Sequence, residues 1–284
     1  MSVSRLANRI SQVKLIHHWK KHQSSPPVGE TTPGLIVSLT SFPARIKTTW
    51  IAVESILRQR IRPEKIALVL SSTEFGSNSD LPRELEKQKK HGLEIIWTNA
   101  NLRSYGKLIP VKAKYPEAHI VTVDDDVIYP EHTLANLMDS HQANPRQIVG
   151  CRGYEIQKDV NGDPLPYTAW SPAGVATPSS TCFLTGVGGV LYPPDSLPWQ
   201  LVSNSDLFES LCPTADDIWF WAMSLIHGSQ RRCLGENSIQ EIKRFIKTPR
   251  LSRNNVSRGG NDRQLQLVIN HFNLGSLSRQ QSQT

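Results

Sequence analysis

The sequence predicts an α/β protein built on a mostly parallel sheet, with a looser second half. Three observations carry the prediction. Apolar runs alternate with stretches of helical periodicity from Leu35 to Asp126. Each run is continuously apolar, as a strand covered on both faces is. The last of these runs ends in Asp124-Asp125-Asp126, and ligands of parallel sheets bind beyond the carboxyl ends of the strands.

The elements follow in order. Residues 1–22 contain Arg5, Arg9, Lys14, Lys20 and Lys21 and no acid, while Val3, Leu6, Ile10, Val13 and Ile16 recur at helical spacing. This is a basic amphipathic helix, of the kind that lies on an anionic membrane surface or docks on the protein's own core or on a neighbouring subunit. "HQSSPPVGETTPG" (His22–Gly34) reads as a linker, so residues 1–33 stand apart. "LIVSLTSFP" gives a strand over Leu35–Leu39 and a turn at Phe42–Pro43, and Thr49–Gln59 has helical periodicity. Lys65–Ser71 is a second strand, "LPRELEKQKKHG" a charged helix stopped by Gly92, and Leu93–Asn99 a third strand. "KLIPVKAKYP" is a short helix and "HIVTVDDD" the fourth strand, closing a first half over residues 34–130.

In residues 131–284 the pattern loosens. "EHTLANLMDSHQANP" is a helix, "QIVGCRGYEI" a strand, and "NGDPLPYTAWSPAGVATPSS" a turn-rich stretch. "CFLTGVGGVLYPP" reads as a strand pair broken by glycines, "TADDIWFWAMSLIHG" as a strongly apolar helix, and "NDRQLQLVINHF" as a terminal helix.

Of 284 residues, 38% are hydrophobic and 20% charged, enough for a buried core in one large domain or two small ones. The net charge of +7 invites acidic partners. Lys and Arg are scattered, however, and not interleaved with aromatics in a stripe, which argues against a nucleic-acid binder. Cys151, Cys182, Cys212 and Cys233 form no C-x-x-C pair and suit a reducing compartment. No apolar stretch approaches the roughly 20 residues of a membrane span, and the N-terminus lacks the apolar core of a signal peptide. The expectation is a cytoplasmic protein, with residues 1–22 as its contact to the inner membrane face.

Three adjacent carboxylates repel and need a counter-charge. If the strand persists, period-two alternation points Asp124 and Asp126 the same way. That pair suits a hard divalent cation, Mg²⁺ or Mn²⁺, whose shell is completed by substrate phosphates. An exposed acidic turn, or a cap for the next segment, explains the residues without a metal.

"VSLTSFPARI", "SYGKLIP", "VTVDDDVIYP", "LTGVGGVLYPP" and "TADDIWFWA", in this order, resemble segments of GT-A fold glycosyltransferases over roughly residues 34–272. The chain looks most like bacterial family-2-like enzymes that build capsule, lipopolysaccharide or other surface glycans. The resemblance implies a Rossmann-like nucleotide-binding half with a mostly parallel sheet, followed by an acceptor-binding half. It further implies a nucleotide-sugar donor (a UDP-sugar is favoured), Mn²⁺ or Mg²⁺ on a D-x-D motif, and transfer to a hydroxyl of a glycan or lipid-linked acceptor.

On this resemblance Asp124 and Asp126 are the D-x-D pair. Asp126 holds the metal, Asp124 is divided between metal and donor ribose, and Asp125 is a further donor contact. Thr40, Ser41 and Arg45, at the end of the first strand, fall under the nucleoside. Lys107 sits where similar proteins keep a lysine near the donor, and an ammonium there complements phosphate; a solvated surface lysine is the plain alternative. Gly186, Gly188 and Gly189 in "TGVGG" let a sugar approach the backbone, or make a hairpin turn. Thr214 and Asp217 have the spacing of a capping-box variant. In inverting enzymes an acid at a comparable helix start deprotonates the acceptor; Asp217 is the first candidate and Asp216 the second, each raising the other's pKa. His271 is a third metal ligand or a structural helix residue. The loop "SRGGND" (Ser257–Asp262) closes over a diphosphate or merely connects.

"IVTVDDDVI" also resembles the D-x-D loop of haloacid-dehalogenase-like Mg²⁺-dependent phosphatases. There the motif follows the first strand of the core, and here three strand–helix units come first. A non-enzymatic basic binding protein accounts for the charge but not for the aspartates.

Overall fold

The structure, a computed structural model, describes residues 3–23, 29–75, 81–174, 179–235, 240–242 and 259–274. In chain order the first half holds α1 (Val3–His22), β1 (Glu30–Thr40), α2 (Ile46–Leu57), β2 (Ile61–Ser71), α3 (Ser72–Phe75) and α4 (Arg83–Lys89). Then come β3 (Leu93–Thr98), a 3₁₀ turn (Arg103–Lys107), α5 (Ile109–Lys114) and β4 (His119–Thr122). The second half opens with β5 (Val127–Ile128), α6 (Thr133–Ala143), β6 (Ile148–Gly150), β7 (Gly153–Glu155), β8 (Ser171–Pro172), β9 (Cys182–Leu184) and β10 (Val190–Tyr192). It ends with α7 (Trp199–Val202), α8 (Ser205–Leu211), α9 (Asp216–His227), β11 (Arg231–Cys233), β12 (Gln240–Glu241) and α10 (Gly260–Phe272).

Seven strands form one sheet in the order β11-β6-β10-β4-β1-β2-β3. β4, β1, β2 and β3 pair parallel, as do β6 and β11, while β10 runs antiparallel between β4 and β6. The mixed α/β class and the mostly parallel sheet are those the sequence predicts. Alternation along β1 explains why its run is apolar throughout. Leu35, Val37 and Leu39 join one buried layer with Trp50 and Ile56 of α2 and Leu134 and Leu137 of α6. Ile36 joins the opposite layer with Val111 of α5 and Trp219 and Met223 of α9. Helix α9 is apolar nearly all round because it lies inside that layer. It stops at Gly228, whose φ of 81° makes the left-handed cap that glycine adopts freely.

Several expectations need correction. Glu30–Gly34, expected in the linker, belongs to β1: Glu30, Thr31 and Thr32 pair with Ile61, Arg62 and Pro63. The register slips between Thr32 and Ile36, where Pro33 has no N–H to give. "QIVGCRGYEI" is two strands in two sheets, β6 in the central one and β7 in a three-stranded sheet ordered β8-β7-β9. The glycine-broken pair is not a hairpin either, since β9 stays with β7 and β10 enters the central sheet. β11 went unforeseen because it looks basic. Arg231 is in fact buried, donating to the carbonyls of Cys182, Ser179, Ser180 and Ser229 and to Ser224 Oγ.

The last turns of α1 dock on the protein's own core. Trp19 is buried under the Arg58 guanidinium, Leu15 and Ile16 pack beside it, and Lys20 pairs with Glu84 at 2.7 Å. No helix among the described residues is long and apolar enough to cross a membrane.

Candidate active site

The site lies where β1 and β4 end. The chain leaves β4 at Thr122 and turns at Asp125–Asp126, so the alternation expected to align Asp124 with Asp126 does not persist. Asp124 meets Lys107 Nζ at 3.1 Å, while Asp125 and Asp126 share Arg45 Nη1 at 2.8 and 3.0 Å. These two cations are the immediate counter-charges of the triplet. Asp125 is buried and also accepts from Ser41 Oγ at 2.6 Å. Burial pushes the Asp125 and Asp126 carboxyls up, and Arg45 resists in both. The amide of Asp124 donates to the hydroxyl of buried Tyr129 at 2.7 Å, fixing the start of the turn.

Lys107 is buried, not a solvated surface lysine. Its 3₁₀ turn is anchored by Tyr105, which stacks on Phe208 and donates to the Cys212 carbonyl. Thr40 gives its hydroxyl to Val69 O at 3.0 Å, and Gly106 packs against it. Lys107 Nζ also lies 3.5 Å from Asp216 Oδ2. Burial opposes its charge more than any other single influence. Asp124, then Asp216 and Asp217, outweigh burial together and hold its pKa well above that of an ordinary lysine.

Gly186 N donates to Asp217 Oδ1 at 2.9 Å. A Cβ on Gly186 would sit 3.0 Å from Lys107 Nζ and 3.1 Å from Asp217 Oδ1. Lys107 and Asp217 therefore converge on one absent side chain. Gly188 and Gly189, with φ near +101° and +104°, carry the crossing from the small sheet to the central one, a backbone path that L side chains resist. Asp217 is half-buried at the start of α9, and its pKa is raised to about 8 by burial first and by Asp216 second. The capping box does not form. Ala215 occupies the cap position, and Thr214 bonds Gln264 of α10 through N at 2.9 Å and Oγ1 at 3.0 Å.

His271 is exposed, its ring against Phe272. Of the loop expected over a diphosphate, Ser257 and Arg258 lie outside the described residues, and Asp262 accepts from the Tyr167 amide at 2.6 Å. Sequence reasoning missed Tyr105 and Tyr129, for which adjacency to Lys107 and to the aspartates was the signal. It also missed Arg152 and Tyr167, which nothing local marks.

Among the described residues no cluster of three or more His, Cys, Asp or Glu side chains is arranged to hold a metal. Asp124 and Asp126 each give one oxygen to a cation. Two such carboxylates fit a hard divalent ion that takes its remaining oxygens from phosphate and water.

No protein-family model matches the chain, and no curated protein matches it. Solved structures similar to it include the mannosyltransferase PcManGT from Pyrobaculum calidifontis in complex with GDP-Man and Mn²⁺, at 17% identity over 77% of this chain and 61% of that one, TM-score 0.44. S. aureus TarS in complex with UDP is 14% identical over 72% and 59%, TM-score 0.43. UTP-bound UGPase from Acinetobacter baumannii is 12% identical over 90% and 98%, TM-score 0.42. The chain spans about three-fifths of the length of the first two, 61% and 59%. Its structural neighbours are thus glycosyltransferases and nucleotidyltransferases.

Proposed function

We propose that the chain is a nucleotide-sugar-dependent glycosyltransferase that inverts the anomeric centre, acting in bacterial surface-glycan synthesis. One observation carries this reading: Lys107 and Asp217 converge on Gly186 beside the Asp124–Asp126 turn. Residues 34–130 hold the donor, with the nucleoside near Ser41 and Asp125, and UDP is the favoured base carrier. Lys107 and Arg45 are the cations a diphosphate meets. Mn²⁺ or Mg²⁺ on Asp126 and Asp124 would supply further neutralisation of the leaving diphosphate. Asp217 accepts the proton of the acceptor hydroxyl as the sugar–phosphate bond breaks, and its raised pKa makes it a competent base near neutral pH. Residues 131–284 hold the acceptor. Lys14, Lys20 and Lys21 of α1 are exposed, and they set the chain on an anionic membrane carrying a lipid-linked acceptor. Failure of the full chain to float with anionic vesicles removes that last element.

The test is calorimetric titration of UDP, GDP and CMP with Mn²⁺ and with EDTA, repeated on Asp126→Ala. One diphosphate should bind, with metal only, and binding should vanish in the variant. If no nucleotide binds under any metal condition, the proposal is wrong. A phosphatase reading then competes, although the aspartates follow the fourth strand in chain order and not the first.

A further inference from the structure

Beside Asp217 stands a group that the donor reaction does not use. Thr185 N donates to the Arg152 carbonyl at 3.1 Å, one residue from the Gly186 amide that holds Asp217. The Arg152 side chain is half-buried, and Nη2 donates to Tyr154 Oη at 2.9 Å with the guanidinium over the Tyr154 ring. The Tyr154 ring meets the Tyr167 ring at 5.6 Å, and Tyr167 is braced by Trp170 and Phe183. Tyr167 is within electrostatic reach of the base: burial first and Asp217 second push its pKa up.

The Arg152 guanidinium has donors to spare. Arg152 forms no ion pair with an acid among the described residues, although carboxylates crowd the neighbouring Lys107. A guanidinium offers five donors in a planar fork, and one bond to a phenol leaves most of them unmatched. The two half-buried tyrosine rings, set at 62° to each other, are side chains of the kind on which the C–H face of a pyranose packs.

We propose that Arg152, with Tyr154 and Tyr167, is the acceptor subsite, and that the acceptor is a sugar bearing an anionic group, a carboxylate or a phosphate. The proposal rests on the glycosyltransferase reading. Arg152 takes the anion in its fork, Tyr167 and Tyr154 take the ring, and the acceptor hydroxyl is thereby presented to Asp217.

The test uses the full chain with UDP and Mn²⁺, titrated separately with methyl glucuronide, glucose 6-phosphate and methyl glucoside under ligand-observed NMR. At least one anionic sugar should bind about tenfold or more tightly than the neutral glycoside, the scale of a hydrogen-bonded charge. The two anionic arms separate carboxylate from phosphate. Arg152→Gln should erase the preference while UDP affinity stays unchanged. Should that variant not fold, Arg152→Lys serves, keeping charge without the fork and giving an intermediate preference. Equal binding of charged and neutral sugars, or no sugar binding by a chain that does bind UDP, overturns the subsite and leaves the glycosyltransferase reading standing. Loss of UDP affinity in either folded variant also overturns it, because Arg152 would then serve the donor. Arg152-dependent binding of an anionic sugar by a chain that binds no nucleotide keeps the anionic subsite and sinks the glycosyltransferase reading instead.

Discussion

Replacing Gly186 by alanine tests the convergence at its centre. The new methyl would lie 3.0 Å from Lys107 Nζ and 3.1 Å from Asp217 Oδ1, against an optimal heavy-atom separation of about 3.5–4.0 Å. Each group must retreat by roughly half an ångström. Lys107 is buried and tied to Asp124 at 3.1 Å, so its retreat lengthens that pair. Asp217 accepts from Gly186 N at 2.9 Å, and the same retreat takes that bond past about 3.2 Å, where hydrogen bonds weaken. A hydrogen bond to a charged group contributes about 1.5–3 kcal/mol, which as a barrier change slows turnover by roughly 10- to 150-fold. Gly186 has no positive φ, so alanine strains no backbone and the effect is confined to the site. Donor-sugar hydrolysis followed by nucleotide release is the assay, with a thermal melt to show that the fold is intact. A variant that melts with the parent and keeps turnover within about twofold refutes the placement of the reaction at Lys107 and Asp217.

Further outcomes follow from the charges of Asp217, Lys107 and Arg231. Because the Asp217 pKa is raised to about 8, turnover should climb with pH up to that value, and Asp217→Asn should remove this limb and cost about 10²–10⁴-fold. Stability runs the other way, since the folded state binds that proton more tightly than the unfolded chain; Asp217→Asn should melt above the parent near pH 8–9, by a gap that narrows as pH falls and closes only toward the unfolded value of 3.8, and the reverse order would contradict the shift. Lys107→Met leaves Asp124 and Asp216 without the ammonium they face at 3.1 and 3.5 Å, so urea denaturation at pH 7 should show a clear loss of stability, and an unchanged midpoint would rule this out. Arg231→Met takes the donor from the buried Cys182 carbonyl and from three part-buried ones and should cost about 3 kcal/mol in urea; a change under about 0.5 kcal/mol, the scatter of surface substitutions, would mean that those bonds are not made.

The first half of the fold was legible because its strands are continuously apolar. Leu35–Leu39 and Ile66–Leu70 are buried on both faces, and no other element type reads that way at that length. The second half was not, because its strands are three residues long or shorter. A run so short has no period to read, and whether β9 and β10 pair with each other or with other strands depends on distant partners. At the site the residue types were visible and the pairings were not. Arg45 and Lys107 were nominated toward the donor and not as partners of the aspartates, and the turn that separates Asp124 from Asp125 and Asp126 is a tertiary outcome. Thr214 shows the same limit, since its local partner lost to Gln264 fifty residues later. Arg231 misled because a charge in sequence looks solvated, and only the fold supplies the carbonyls that solvate it from within.

The chain crosses between the central sheet and the three-stranded sheet at Cys151–Arg152 and again at Thr185–Gly189, and the crossings are stitched together by Cys151 N to Gly189 O at 3.0 Å and Thr185 N to Arg152 O at 3.1 Å. This seam separates what can vary from what cannot. An insertion within it would displace the Gly186 amide and with it Asp217. Changes in the turn-rich stretch beyond β7, around Asp159–Asp163 where Val160 is fully exposed, leave the seam and the aspartate turn untouched. The fold thus leaves that stretch free to change in length and sequence while the geometry around Gly186 and Asp217 is held.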